Sequence, residues 1–431
     1  MTDPIAALIL VGGFFLLMTF KLPVAFALML SAFASAWYFN PMLLRVVAQQ
    51  LVDGIRSFNL LAIPFFIIAG NLMGEGGIAQ RLIDFSDACI GRVRGGLAMV
   101  NVLSSKFFGT VSGSVTADTS ALGTVLIPMM VKQGYDRDFA VANTVSSSIL
   151  GVLIPPSHNM IIFAMAAGGG VSIAALFLAG IVPALVLGIG LMVVSYIVSV
   201  KKNYPKGKKY TLKEGLRLAA SSFLGIFTIV IIIGGITLGI FTATESAAIA
   251  VIYAFIITFF VYREIPLRQF GSIMKKSMRT VATVMAIISA SSAFGFMMAI
   301  LRIPDAVTTS ILTISDNPII VLILMNLILL LLGLFIDMAP MILITTPILL
   351  PIATSMGVHP VQFGIILLLN LGLGLITPPV GTVLFVGCSV GKIKMEAVIK
   401  PLLPYYAVMI LVLLMVTFIP QLSMWLPGFL R

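Results

Sequence analysis

Apolar runs of about twenty residues recur along the chain from Pro4 to Phe418, and this repetition constrains the fold more than any other feature. A helix of that length crosses a ~30 Å hydrocarbon layer. Charged residues make up only 10% of the chain, against roughly a quarter in soluble domains, and the mean hydropathy is +1.16. The sequence therefore predicts an all-α polytopic membrane protein. A β-barrel would instead show segments of ~10 residues with alternating polarity. The first run, Pro4–Phe20, has neither a basic leader nor an A-x-A site, so a retained span is expected rather than a signal peptide. Cys89 and Cys388 stand far apart in apolar surroundings, offering no disulfide framework and no C-x-x-C metal spacing.

Spans are expected at 4–20, 22–39 and 56–74, followed by a polar loop at 75–96, and then at 138–166 and 173–200. A basic linker, KKNYPKGKKYTLKEG (201–215), divides the chain into repeats over 1–200 and 216–431. Beyond it come spans at 217–241, 244–262, 280–301, 361–389 and 402–419. Segments 97–133 and 318–353 are different, because SGSVTAD (112–118) and LFIDMAP (334–340) interrupt them halfway. Arms of about 14 residues reach ~21 Å, too short to cross alone, so each segment is predicted to be a re-entrant helical hairpin. That topology puts all but five of the 26 Lys and Arg residues in cytoplasmic loops. The periplasmic side, which holds both termini, keeps Arg45, Arg56, Arg302 and Arg431, and Lys106 lies inside the first hairpin. The net charge of +11 is thus a positive-inside signal and gives no reason to expect nucleic acid. The stretch 263–279 reads either as an amphipathic arm along the interface or as a basic loop.

The halves also align. An offset of 223 residues brings Pro128, Gly134, Gly151, Pro155, Pro156 and Gly168 onto Pro351, Gly357, Gly374, Pro378, Pro379 and Gly391. Each half has an odd number of crossings, so the repeat is inverted, as in secondary transporters built on discontinuous helices. GVLIPPS (151–157) and GLITPPV (374–380) would be the breaks in the helices 138–166 and 361–389. Broken backbone survives at membrane depth only when buried or lining a cavity. Pro155 and Pro156 lack N–H groups and free carbonyls in the turn before them, which suits a hard cation. One cation site would use Ser112, Ser114, Gly151, Ile154 and Pro156, and its counterpart Phe335, Asp337, Gly374, Thr377 and Pro379. Neutral oxygen ligands suit Na⁺, whereas His158 and His359 are the only histidines, too few for a zinc or iron centre.

The half-helix restarting at Ser157, His158 and Asn159 turns its positive end toward the same space, where an anionic substrate would sit. His158 reads as a cavity histidine or a proton relay. Asp118 could hold a cation, bind a substrate hydroxyl or cap its helix. Arg302 could anchor a carboxylate or snorkel at the interface.

IPFFIIAGNLMGEGG, FFGTVSGSVTAD, KQGYDRDFA, LGVLIPPS and GLITPPVGT together resemble the large membrane subunit of tripartite ATP-independent periplasmic (TRAP) transporters, over nearly the whole chain. The resemblance implies an elevator-type, Na⁺-coupled importer of organic acids in the bacterial inner membrane. It further implies a periplasmic binding protein and a small four-helix membrane subunit, here a separate chain because span one comes first. It supports Ser112, Ser114, Gly151, Pro156, Gly374, Thr377 and Pro379 as Na⁺ ligands. IPPSHNM is closer to sialic-acid members than to the IPPSIPM of many dicarboxylate members, so N-acetylneuraminate is expected, with C4-dicarboxylates or other carboxylates as the alternative cargo. A self-sufficient Na⁺/carboxylate symporter is the second reading. An intramembrane enzyme is not expected: there is no HExxH, aspartate dyad or activated serine, and no cofactor is called for beyond the coupling ion.

Overall fold

The computed structural model describes residues 3–315 and 317–429; Arg431 lies outside them. Among the described residues every regular element is helical, apart from one isolated bridge between Arg94 and Lys206. The chain opens with α1 (Pro4–Thr19), capped by Asp3, whose carboxylate accepts from the Ile5 and Ala6 N–H groups. Lys21, with φ 61, and Pro23 separate it from α2 (Val24–Phe39). Next are α3 (Leu43–Asp53), α4 (Phe58–Glu75), α5 (Ile78–Ile90), α6 (Gly96–Ser112) and α7 (Val115–Lys132). Before the linker come α8 (Arg137–Leu153), α9 (His158–Ala166) and α10 (Ile173–Lys201).

After the linker, α11 (Leu212–Thr237) and α12 (Ala243–Tyr262) each begin on a capping box, Thr211 with Glu214 and Thr242 with Glu245. Then follow α13 (Leu267–Ile300), α14 (Ile303–Ile314), α15 (Pro318–Gly333), α16 (Met338–Ser355), α17 (Pro360–Leu375), α18 (Thr382–Gly391) and α19 (Met395–Phe418). Among the described residues seven helices are long and apolar enough to cross a membrane, or eight if the bent pair α8–α9 counts as one span.

Two sequence expectations need correction. The stretch 75–96 is not merely a loop, because α5 buries Ile78, Ala79, Leu82, Ile83 and Ser86, one face of a helix, against α6 and α11. The stretch 263–279 is neither a separate arm nor a loop. From Phe270 it is the first part of one 31-residue α-helical run ending at Ile300, with Ile273 and Ser277 facing inward. The hairpin arms are also longer than expected, 16 to 18 residues, or about 24–27 Å.

The 223-residue register recurs in the helix limits. Val115 and Lys132 bound α7 where Met338 and Ser355 bound α16, and α8 begins at Arg137 where α17 begins at Pro360. Packing is exchanged between the halves. The restart helix α9 lies on α16, the outgoing arm of the other half's hairpin, and α18 lies on α7. The first break is therefore enclosed by protein, whereas the second opens outward at Pro379 and Val380. Every residue from Phe139 to Ser157 is buried, as is every residue from Val361 to Ile376.

Side-chain amides and hydroxyls tie this core together where no water competes. Asn101 donates to Thr144 (2.6 Å), Asn143 to Ser195 (2.9 Å) and Tyr405 (3.2 Å), and Asn370 to Asn326 (2.6 Å), which in turn donates to Thr417 (3.1 Å). At one end, Tyr204 and Lys202 of the linker region both donate to Asp136, the cap of α8.

Candidate functional site

The first hairpin turns at Gly113, whose φ of 59 suits a residue without Cβ, and Ser114 caps α7 by accepting from the Ala117 N–H. One turn into α7, Asp118 is fully buried. The Ser112 hydroxyl donates to its Oδ1, whereas Oδ2 has no partner among the described residues. The backbone beside it is crowded. A methyl built on Gly109 would lie 2.5 Å from the Gly151 Cα, and one built on Gly151 would overlap Asp118 Oδ2. Glycine at both positions lets α6 and α8 touch along their backbones and seats the carboxylate against the last turn before the break.

From Ile154 to Ser157 the chain leaves the helix, and α9 resumes 51° away. The Pro155–Pro156 bond is cis, as is Pro378–Pro379. The Pro156 carbonyl points to the hairpin tip, 2.8 Å from where a Cβ on Gly113 would stand, and His158 Nδ1 lies 3.5 Å from the same point. Ser157 occupies the cap position of α9 in extended backbone, yet its hydroxyl does not cap the helix and is buried without a partner among the described residues. The Asn159 amide reaches Met338 Sδ at 3.5 Å, linking this restart to the beginning of α16 in the second hairpin.

The structure thus gathers Ser112, Ser114, Asp118, Gly151, Pro156, Ser157 and His158 around one hairpin tip, with Asn159 on the side of the other. A carboxylate oxygen, a hydroxyl and carbonyls of a broken turn form a hard, oxygen-only donor set. Among the described residues no three His, Cys, Asp or Glu side chains meet in a way that could hold a metal.

The second set is less convergent. Gly374 meets Gly333, since a Cβ there would stand 2.6–2.7 Å from three Gly333 backbone atoms. Asp337 spends one oxygen on the Met338 N–H, capping α16 in the position Ser114 holds on α7. The Thr377 hydroxyl donates to Leu373 O, the Ile376 carbonyl accepts from Tyr406, and Phe335 and Pro379 are exposed. Arg302 caps α14 with φ 49 and a side chain open to the surroundings; it is not among the residues gathered at the tip.

Sequence reasoning missed Gly109, Gly333 and Tyr406. The two glycines could have been found as partners for Gly151 and Gly374, because a helix that presents glycine to a break needs a small residue opposite. Nothing local marks Tyr406.

Residues 11–422 match the family described as the DctM component of the tripartite ATP-independent periplasmic transporters. The chain belongs to this family. It is 41% identical to the uncharacterised protein YgiK of Salmonella typhimurium, over 97% of both chains. It is 38% identical to the sialic acid TRAP transporter large permease SiaM of Vibrio cholerae, over 94% of this chain and 95% of that one. It is 39% identical to the C4-dicarboxylate large permease DctM of Pseudomonas aeruginosa, over 91% of both. Among solved structures, the Alcanivorax borkumensis YdaH transporter superposes with a TM-score of 0.61 at 14% identity, covering 90% of each chain. That likeness concerns the fold. This protein is accordingly a multi-pass membrane component of a tripartite transporter, and its family is one of permeases, not of catalysts.

Proposed function

We propose that this chain is the large permease subunit of a Na⁺-coupled importer of an organic acid, with N-acetylneuraminate as its cargo. The observation that carries the coupling is Asp118, a buried carboxylate with one oxygen unpartnered and seated between Gly109 and Gly151. A buried carboxylate without a cation is costly, and a cation on Oδ2 removes that cost. Ser112 and the Pro156 carbonyl supply neutral oxygens at the same tip, with Ser114 beside them. Gly374 and Thr377, with Phe335, Asp337 and Pro379, form the matching set for a second ion.

Substrate would lie where Ser157, His158 and Asn159 begin α9, against a helix terminus whose first N–H groups favour an anion. Ion binding at the tip would hold the break in the shape that receives the acid. The cargo rests on the IPPSHNM sequence and on the SiaM relative; the DctM relative, equally similar, supports C4-dicarboxylates as the second reading. Membership of a tripartite family supports a small membrane subunit and a periplasmic binding protein as partners, in the bacterial inner membrane.

The test is uptake of labelled N-acetylneuraminate, and separately of labelled succinate, into proteoliposomes. Both partners and an inward Na⁺ gradient are supplied or withheld in turn. Uptake that needs all three components is the expected result. Uptake by this chain alone would make it a self-sufficient symporter, and uptake indifferent to Na⁺ would remove the coupling.

A further inference from the structure

The hairpin carries one cation that the reading above does not use. Lys106 sits on α6 one turn before Gly109, half-buried, on the arm that leads into the hairpin tip. Among the described residues no carboxylate lies within ion-pair distance of it; the four ion pairs present are Arg56–Asp53, Arg81–Glu264, Lys202–Asp136 and Lys276–Glu75. Lys106 lines a cavity of about 220 Å³ together with Thr110, Ile154 and Pro155, and Ile229 and Ile233 of α11 form part of its other wall. The Thr110 hydroxyl is already committed to the Phe107 carbonyl, so Lys106 is the one uncommitted polar side chain among the described residues that line an otherwise apolar chamber.

We propose that Lys106 receives the carboxylate of the transported acid in this cavity, beside the Ile154–Pro155 break. The proposal rests on the organic-acid reading and names the residue that recognises the anionic end. Three features favour it. An ammonium at membrane depth without a counter-charge is unfavourable, so an anion is its natural occupant. Apolar walls keep the local dielectric low, which strengthens that attraction over its value in water. The cavity also shares both its elements, α6 and the break, with the Asp118 cradle. Gly109, one turn past Lys106, is the residue that touches Gly151 and Asp118. A cation held on Asp118 and a carboxylate held on Lys106 would therefore both lie against the same stretch of broken backbone.

A phospholipid headgroup offers the same anionic oxygens, so the experiment separates the sources. The full chain is purified in detergent as wild type, Lys106→Met and Lys106→Arg. Thermal stabilisation is read at constant ionic strength with N-acetylneuraminate, with succinate and with phosphatidylglycerol. Uptake by the reconstituted complex is measured in parallel. We expect a carboxylate to stabilise the wild type, Lys106→Met to weaken that effect about tenfold in concentration, and Lys106→Arg to retain it, as for loss of one charge-assisted hydrogen bond. The substrate KM should rise by a similar factor while the Na⁺ half-saturation stays put. Equal responses of wild type and Lys106→Met to both acids would overturn the proposal. So would a Lys106-dependent response to phosphatidylglycerol alone. Lys106-dependent stabilisation by an acid that the complex does not transport would uphold the carboxylate site and count against the import reading.

Discussion

Gly151→Ala is the substitution whose consequence is best defined by the structure. The new methyl would overlap Asp118 Oδ2 and stand 3.3 Å from the Gly109 Cα. Two responses are open. If α6 and α8 move apart, overpacking costs about 1–3 kcal/mol. If the carboxylate swings aside, it gives up the hydrogen bond from Ser112, worth about 1.5–3 kcal/mol for a charged acceptor. Replacing a helical glycine by alanine returns about 1 kcal/mol. The net loss should be about 0–2 kcal/mol, and because the obstacle is the Asp118 side chain, that loss should depend on it. The nearest obstacle to Gly374→Ala is Gly333 backbone, which has no rotamer to yield, so its loss should be the larger of the two.

The assay is equilibrium unfolding in mixed micelles for Gly151→Ala, Asp118→Ala and the double variant, with Gly374→Ala alongside. A coupling of at least about 1 kcal/mol is expected between Gly151 and Asp118, since truncating the carboxylate makes room for the methyl. Additivity within about 0.5 kcal/mol would show that the glycine contact is not with the carboxylate, and the cradle described above would have to be abandoned.

Ser112→Ala removes both a ligand hydroxyl and the donor to Asp118. The Na⁺ half-saturation of uptake should rise about tenfold with folding retained; an unchanged value would take Ser112 out of the site. Pro156→Ala allows the helix to extend through the break, and uptake should fall about tenfold at unchanged expression; normal uptake would argue that the interruption is not needed. The Asp136 latch sets a pH window. Hydrogen bonds from Lys202 and then Tyr204 hold the Asp136 carboxyl below its usual range, and burial pushes the Tyr204 phenol up. A lowered carboxyl pKa contributes stability that is present above the unfolded value of 3.8 and lost as pH falls through the folded one. A raised phenol pKa contributes below the unfolded value of 10.0 and is lost as pH rises through the folded one. The stability gap between wild type and Asp136→Asn should therefore stay constant from pH 5 to pH 9 and close below about pH 4. A gap that drifts between pH 6 and pH 8 would point to another titrating group. The gap itself should be below about 1 kcal/mol, because both partners are partly exposed.

Much of this architecture was legible in the residues. Run length implies spans, and SGSVTAD and LFIDMAP mark the hairpin turns because small, polar and capping residues cannot continue an apolar helix. Paired prolines mark the breaks, and the 223-residue offset pairs α7 with α16 to the residue. The amphipathic α5 was overlooked because a polar stretch between spans reads as a loop unless its period is counted, and α13 because the basic residues at its start suggested a boundary where the backbone has none.

What the sequence determined by itself is the class of solvent, the order of the long apolar helices, the location of the breaks and the family, since all of these follow from local composition and spacing. What only the tertiary structure decided is which groups meet across distance. Asp118 came from the sequence as a lone carboxylate with three possible roles. The fold made it a partner of Ser112, enclosed by Gly109 and Gly151, with one oxygen left over. Arg302 and Asp118 looked like comparable ionisable candidates on paper, yet one is buried at the hairpin tip and the other stands open at the cap of α14. The physical reason is that burial and the company of a charge are set by helices packing from separate parts of the chain, and no local pattern encodes which faces will be pressed together.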